Sequence, residues 1–152
     1  MGRIVSFDRC VYCFAHKGET GQCLKCGYEP GACDLPARWL PPGSVLKGRF
    51  VTGKVLRHNP KQIVYYGWDL EREQTVDIVE YFPTELVTRD ITCSEDVVII
   101  PGREVQVEAG RQDFSQRARF FYQCVSQTEQ DNPLIDFFFR NNTCYYVMKR
   151  AD

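Results

Sequence analysis

The chain has 152 residues, of which 43% are hydrophobic and 13% aromatic, so it can form one ordinary core with a small unit beside it. Nineteen Lys and Arg against twenty Asp and Glu give a formal net charge of −1, which argues against nucleic acid as the main partner because phosphate binding needs a basic surface. No segment reaches the roughly 18 to 20 apolar residues of a spanning helix, and the N-terminus lacks a secretory signal, so we expect a cytoplasmic protein without a membrane partner.

Residues 1–30 are polar and rich in Cys and Gly, a composition that predicts a unit held together by a metal. Cys10 and Cys13 form one Cys-x-x-Cys pair, and Cys23 and Cys26 form a second. Each pair places two thiolates on one turn, and two such turns supply a closed tetrahedral site. We therefore predict a structural zinc ribbon, with iron as the alternative ion for the same sulfur ligands. A closed site has no position for a water, so no metal catalysis is expected.

Residues 31–43 are dense in Pro and Gly, which predicts a linker, and residues 44–152 form the predicted main domain. Runs of β-branched and aromatic residues predict three antiparallel strands at 49–56, 63–69 and 75–82. A smaller hairpin is predicted from strands at 97–100 and 104–107 that flank Pro101-Gly102.

The hydrophobic pattern changes after Gly110. Phe114, Ala118, Phe121 and Val125 follow the spacing of one helix face, which predicts a helix over residues 111–127 that covers the sheet. Apolar runs at 134–139 and 143–148, separated by Arg-Asn-Asn, predict a last hairpin.

Some sequence matches go beyond what strand patterning requires. They include residues 65–70 (YYGWDL) and 76–90 (VDIVEYFPTELVTRD), with further likeness in 40–50 and 133–148. These segments resemble the opening of bacterial serine/threonine protein kinases that carry an N-terminal zinc ribbon, over almost the whole chain. The resemblance implies an α+β fold: a small four-cysteine zinc ribbon followed by a kinase N-lobe-like antiparallel five-stranded sheet with one main helix.

The resemblance also implies that residues that handle the nucleotide have been replaced. The glycines of a Gly-x-Gly-x-x-Gly loop, whose backbone approaches the phosphates, are matched by Arg57, Asn59 and Gln62. The alanine and lysine of the Val-Ala-Ile-Lys strand are matched by Asp77 and Val79. An acid without a neighbouring cation beside the base would oppose ATP binding.

The helix of an active kinase offers a glutamate to that lysine, and the matching residue here is Arg117. We therefore expect no ATP binding and no catalytic residue. The sequence also stops at Asp152, before the catalytic loop of a C-terminal lobe, so phosphoryl transfer is not expected of this chain alone.

The expected function is that of a non-catalytic, pseudokinase-like interaction or regulatory module with a protein partner. Apolar residues near the hinge end, among them Tyr145, Tyr146 and Met148, are expected to be exposed and to favour binding of a partner or self-association. One alternative is an N-lobe fragment of a larger (pseudo)kinase, completed by a separate C-lobe. Another is a zinc-ribbon protein that binds nucleic acid through an aromatic and basic face of Tyr12, Phe14, His16, Lys17 and Lys25.

Overall fold

The structure is a computed structural model that describes residues 9–15, 26, 36–125 and 133–150, with helical side chains up to residue 120. Six strands form the main antiparallel sheet, and two short strands pair in a small second sheet. Within these residues, no helix is both long and apolar enough to cross a membrane. The elements are β1 Val45–Leu46, β2 Phe50–His58, β3 Gln62–Asp69, β4 Gln74–Tyr81, β5 Val87–Thr88, β6 Val98–Ile99, α1 Glu104–Val125, β7 Leu134–Arg140 and β8 Thr143–Lys149. The order in the main sheet is β1-β2-β3-β4-β8-β7, and β5 pairs with β6.

The predicted fold class is wrong. The described chain is mostly β, with a six-stranded sheet and one helix, and is not an α+β kinase N-lobe with a five-stranded sheet. Within the main sheet the strand that was not predicted is β1, which pairs with β2 through Val45 opposite Val51 and Leu46 opposite Phe50. A strand of two residues is too short to show an alternating pattern, so the sequence carried no signal for it.

The predicted strand at 104–107 is also wrong, because these residues form the first turn of α1. Val107 is 2% exposed and lies seven residues before Phe114, so it extends the buried stripe of the helix by two turns. The chain turns at Gly102, whose φ is 90°, and the Glu104 carboxylate accepts a hydrogen bond from the Gly102 amide at 3.1 Å. Val98–Ile99 pairs with β5 instead.

The core beneath the sheet contains a fully buried ion pair between Glu80 of β4 and Arg89. Two Arg89 nitrogens donate to the two carboxylate oxygens of Glu80 at 2.8 Å. The hydroxyl groups of Tyr65 and Tyr145 also donate to this carboxylate, at 2.8 and 2.5 Å. Arg89 further donates to the carbonyl oxygen of Arg38. The cluster therefore joins β3, β4 and β8 to the segment that precedes β1.

Candidate metal centre

Three cysteine thiols come together at one site. The Sγ atoms of Cys10, Cys13 and Cys26 all lie within 4.8 Å of one another, and Cys10 and Cys26 are 3.7 Å apart. Sulfur atoms bound at about 2.3 Å on a tetrahedral zinc ion are separated by roughly 3.8 Å. The three cysteines could therefore hold a metal ion, and their soft donor set suits zinc or iron.

A tight turn presents the first two thiols. The Phe14 amide donates to the Cys10 carbonyl and the Cys10 amide to the Ala15 carbonyl, both at 2.8 Å. The Tyr12 amide points at the Cys10 sulfur at 3.3 Å, an amide–sulfur contact that stabilises thiolate charge. Phe14 has a φ of 62°, and Arg9 donates to its carbonyl oxygen at 2.8 Å, which fixes the end of the turn. We call residues 9–15 the knuckle.

The knuckle is packed against strands β2 and β3 of the main sheet. The Lys54 amide of β2 donates to the Tyr12 carbonyl at 3.2 Å. The Phe14 ring is 2% exposed and forms a small apolar cluster with Val51 and Trp68. The guanidinium group of Arg9 lies 4.2 Å from the centre of the Trp68 ring. The first two predicted metal ligands are therefore positioned by contacts with β2 and β3.

The fourth predicted ligand, Cys23, lies outside the described residues, as does His16. Cys10 is buried, Cys13 is partly buried and Cys26 is exposed, so the three thiols sit at the edge of the packed structure. The predicted ligands Cys10, Cys13 and Cys26 are brought together as expected.

The turn between β2 and β3 carries the positions matched to the glycine-rich loop. Asn59 accepts hydrogen bonds on its side-chain oxygen from the amides of Lys61 and Gln62, at 2.8 and 3.0 Å. The carbonyl oxygens of Pro60 and Lys61 accept from Thr84 and Phe82 at 2.9 Å. The amides of Lys61 and Gln62 are thus already hydrogen-bonded within the turn.

Asp77 and Val79 of β4 face the side of the sheet that packs against α1. The expectation that Asp77 has no neighbouring cation is wrong, because Arg150 donates a hydrogen bond to the Asp77 carboxylate at 2.6 Å. Arg150 also lies over the ring of Tyr66, 4.9 Å from its centre. Val79 is 4% exposed and pairs with Tyr146 of β8.

Arg117 is exposed on α1 and forms an ion pair with Asp113 at 3.4 Å. Burial raises the pKa of Tyr146, and the positive charges of Arg117 and Arg57 oppose that rise, so both arginines lie within electrostatic reach of this tyrosine. Arg117 and Gln62 also line a common cleft of about 310 Å³ between the β2–β3 turn and the helix. The structure therefore groups Arg57, Gln62, Val79 and Arg117 on one side of the sheet.

Burial contradicts one expected interaction surface and one residue, Phe14, of the other; His16, Lys17 and Lys25 of that second surface lie outside the described residues. Tyr145 and Tyr146 are 0% and 5% exposed and Met148 is partly buried, so they belong to the core rather than to a partner surface. Phe14 is buried in the knuckle, where its ring contacts Tyr66 at 5.3 Å between centres and cannot stack on a base.

The Glu80 cluster is the part of the interior that sequence reasoning missed. Glu80 shares a strand face with Val76 and Ile78, and a charged residue on an apolar face was the available signal. Burial, followed by the charge of Glu80, raises the pKa of Tyr65 and Tyr145 well above the ordinary tyrosine value. Burial works against the charge of Arg89, but its bonds to Glu80 outweigh that effect and its pKa is raised.

No protein-family model and no curated protein matches the chain. The chain is similar to a solved structure of PpkA, a bacterial serine/threonine kinase, described as the apo form of PpkA-294. The identity is 22% and the TM-score 0.59, and the match covers 77% of this chain and 38% of PpkA-294. At this identity the similarity concerns the fold alone, which resembles that of PpkA-294 although the main sheet here has six strands, and it shows nothing about activity.

Proposed function

We propose that this chain is a non-catalytic interaction module in which a structural zinc ion, bound by Cys10, Cys13, Cys26 and Cys23, holds the N-terminal unit, and that it does not bind ATP. The single observation that carries the proposal is that backbone amides of the β2–β3 turn are already hydrogen-bonded within the protein. Because Asn59 accepts from the Lys61 and Gln62 amides, a triphosphate would have to break these bonds before it gained any.

Strand β4, which the resemblance places beside the nucleotide, also supports the proposal. Val79 stands where the resemblance implies a lysine, and a buried valine supplies no charge to phosphate oxygens. Asp77 and Arg150 form an ion pair beside Tyr66, so a nucleotide base would have to displace that pair. A fold that keeps its core but lacks these contacts fits binding of a protein partner better than phosphoryl transfer.

Isothermal titration calorimetry with Mg-ATP tests the proposal on the full chain, after circular dichroism has verified folding. We expect no heat beyond dilution at millimolar nucleotide. Micromolar binding would overturn the assignment.

A second candidate is a protein that works together with a separate polypeptide corresponding to the rest of PpkA-294. It is favoured by the coverage, since the chain spans 38% of that structure. Co-elution of the chain with a separately produced C-terminal kinase region would support it, and separate elution at micromolar concentrations would argue against it. Nucleic-acid binding is not favoured, because Phe14 is buried.

A further inference from the structure

Strand β7 forms one edge of the main sheet, and no described strand pairs with its outer side. On the helix side of this strand, Phe139 is 66% exposed although it is a large apolar residue. A groove of about 270 Å³ separates Phe139 from Ser115 and Arg119 of α1, so the described part of the helix does not cover this ring. An edge of this kind can pair with another strand.

The turn at the end of β7 determines which backbone groups face outward. Arg140 pairs with Thr143 across a two-residue turn, in which Asn141 and Asn142 have φ angles of 55° and 58°. Such a turn is closed by a hydrogen-bonded pair, and bonded and non-bonded pairs alternate along an antiparallel hairpin. The amide and carbonyl groups of Phe139 and Phe137 therefore point to the open edge.

We infer that β7 pairs with β7 of a second copy of this chain, antiparallel and about a two-fold axis at Phe138. In this register Phe137 faces Phe139 of the other copy, so the outward backbone groups of both residues meet as hydrogen-bonded pairs. The same register places Asp136 opposite Arg140 on the other side of the sheet, once on each side of the axis. The strand is thus complementary to itself in both charge and apolar surface.

The contacts of Asp136 in the single chain oppose this pairing. In the single chain the Asp136 carboxylate accepts a hydrogen bond from the Phe137 amide at 2.8 Å. It also forms an ion pair with Lys47 at 2.7 Å. The Asp136 oxygen that accepts from the Phe137 amide must move away before that amide can donate to the second copy. Dimerisation therefore exchanges one contact of Asp136 for another, and it does not depend on metal or nucleotide at the other sites.

Two variants with opposite charge changes test this register by sedimentation and native mass spectrometry. Arg140→Glu places acid opposite Asp136 in a homodimer, and Asp136→Arg places base opposite Arg140. We expect each variant alone to dimerise about tenfold more weakly than the wild type, because opposed like charges destabilise strand pairs. When the two variants are mixed, both contacts again join opposite charges, so the heterodimer should return to wild-type affinity.

Arg103→Glu is the matched control, since it makes the same charge change at an exposed arginine outside β7 and should dimerise like the wild type. Phe139→Glu is a second test at an exposed side chain, in case Asp136→Arg fails to fold without its Lys47 contact; it should also weaken dimerisation. A wild-type chain that stays monomeric at all concentrations, or a variant mixture that forms no heterodimer, would overturn the inference.

Discussion

The ring of Phe14 lies so close to Gly53 of β2 that a Cβ atom at residue 53 would be 2.8 Å from the ring carbon Cε2. The same Cβ would lie 2.9 Å from the Tyr12 carbonyl oxygen. Only glycine at position 53 lets the knuckle pack this closely against the backbone of β2. The proposed metal ligands Cys10 and Cys13 are therefore carried by a turn that is packed on the sheet.

Replacing Gly53 with alanine should push the knuckle away from β2. We expect a loss of about 1 to 3 kcal/mol in the free energy of unfolding, because extra volume in a close contact forces its neighbours to shift. Urea unfolding measures the loss of stability, and tryptophan fluorescence in a Trp39→Phe background reports the local shift, since Trp68 packs against Phe14.

A double-mutant cycle with Phe14→Leu separates this contact from a general effect on β2. If the Phe14 ring is what the new Cβ meets, the two substitutions should be less than additive. Strict additivity would show that Gly53 and the knuckle are energetically independent.

The ion pair between Glu80 and Arg89 should be needed for folding. Arg89→Met leaves the Glu80 carboxylate buried without its cation, and we expect about 3 to 5 kcal/mol of destabilisation in urea unfolding. Glu85→Gln, at an exposed residue five positions further along the chain, is the control and should change stability by less than about 0.5 kcal/mol. Equal effects of the two substitutions would contradict the structural role of the cluster.

The stability of the fold should fall at alkaline pH because of Tyr65 and Tyr145. Their pKa values are raised in the folded state above the ordinary value of 10.0, so the folded state favours the neutral phenols. Stability from this source is fully present below about pH 10 and is lost as the pH rises above it. Melting temperatures measured from neutral to strongly alkaline pH should show this decline, and Tyr145→Phe should make it shallower. An unchanged slope in that variant would contradict the prediction.

Metal binding should depend on Cys13 and not on Cys93. Both thiols can be replaced by serine with little change in volume, but only Cys13 lies in the cysteine cluster. We expect Cys13→Ser to lose most of its metal, measured by elemental analysis of purified protein, while Cys93→Ser retains the wild-type content. Loss of metal from both variants, or from neither, would show that the assigned ligands are wrong.

The sequence predicted well those elements whose residues repeat over many positions. Strands β2, β3 and β4, the final hairpin and the cysteine grouping all followed from alternation or spacing. It did not predict β1, whose two residues show no period, or the first turn of α1, where Glu104 to Val107 alternates like a strand. The burial of Phe14 and the pairing of Asp77 with Arg150 depend on contacts between distant segments, which a local pattern does not contain.

Zinc analysis of the wild-type protein, purified without added metal, tests the central claim most directly when combined with thermal unfolding before and after chelation. We predict a stoichiometric zinc content and a clear drop in melting temperature once the metal is removed, because a structural metal contributes to the folding free energy. A protein that contains no zinc, or one whose melting temperature is unchanged by complete removal of its zinc, would contradict the proposal of a structural zinc site.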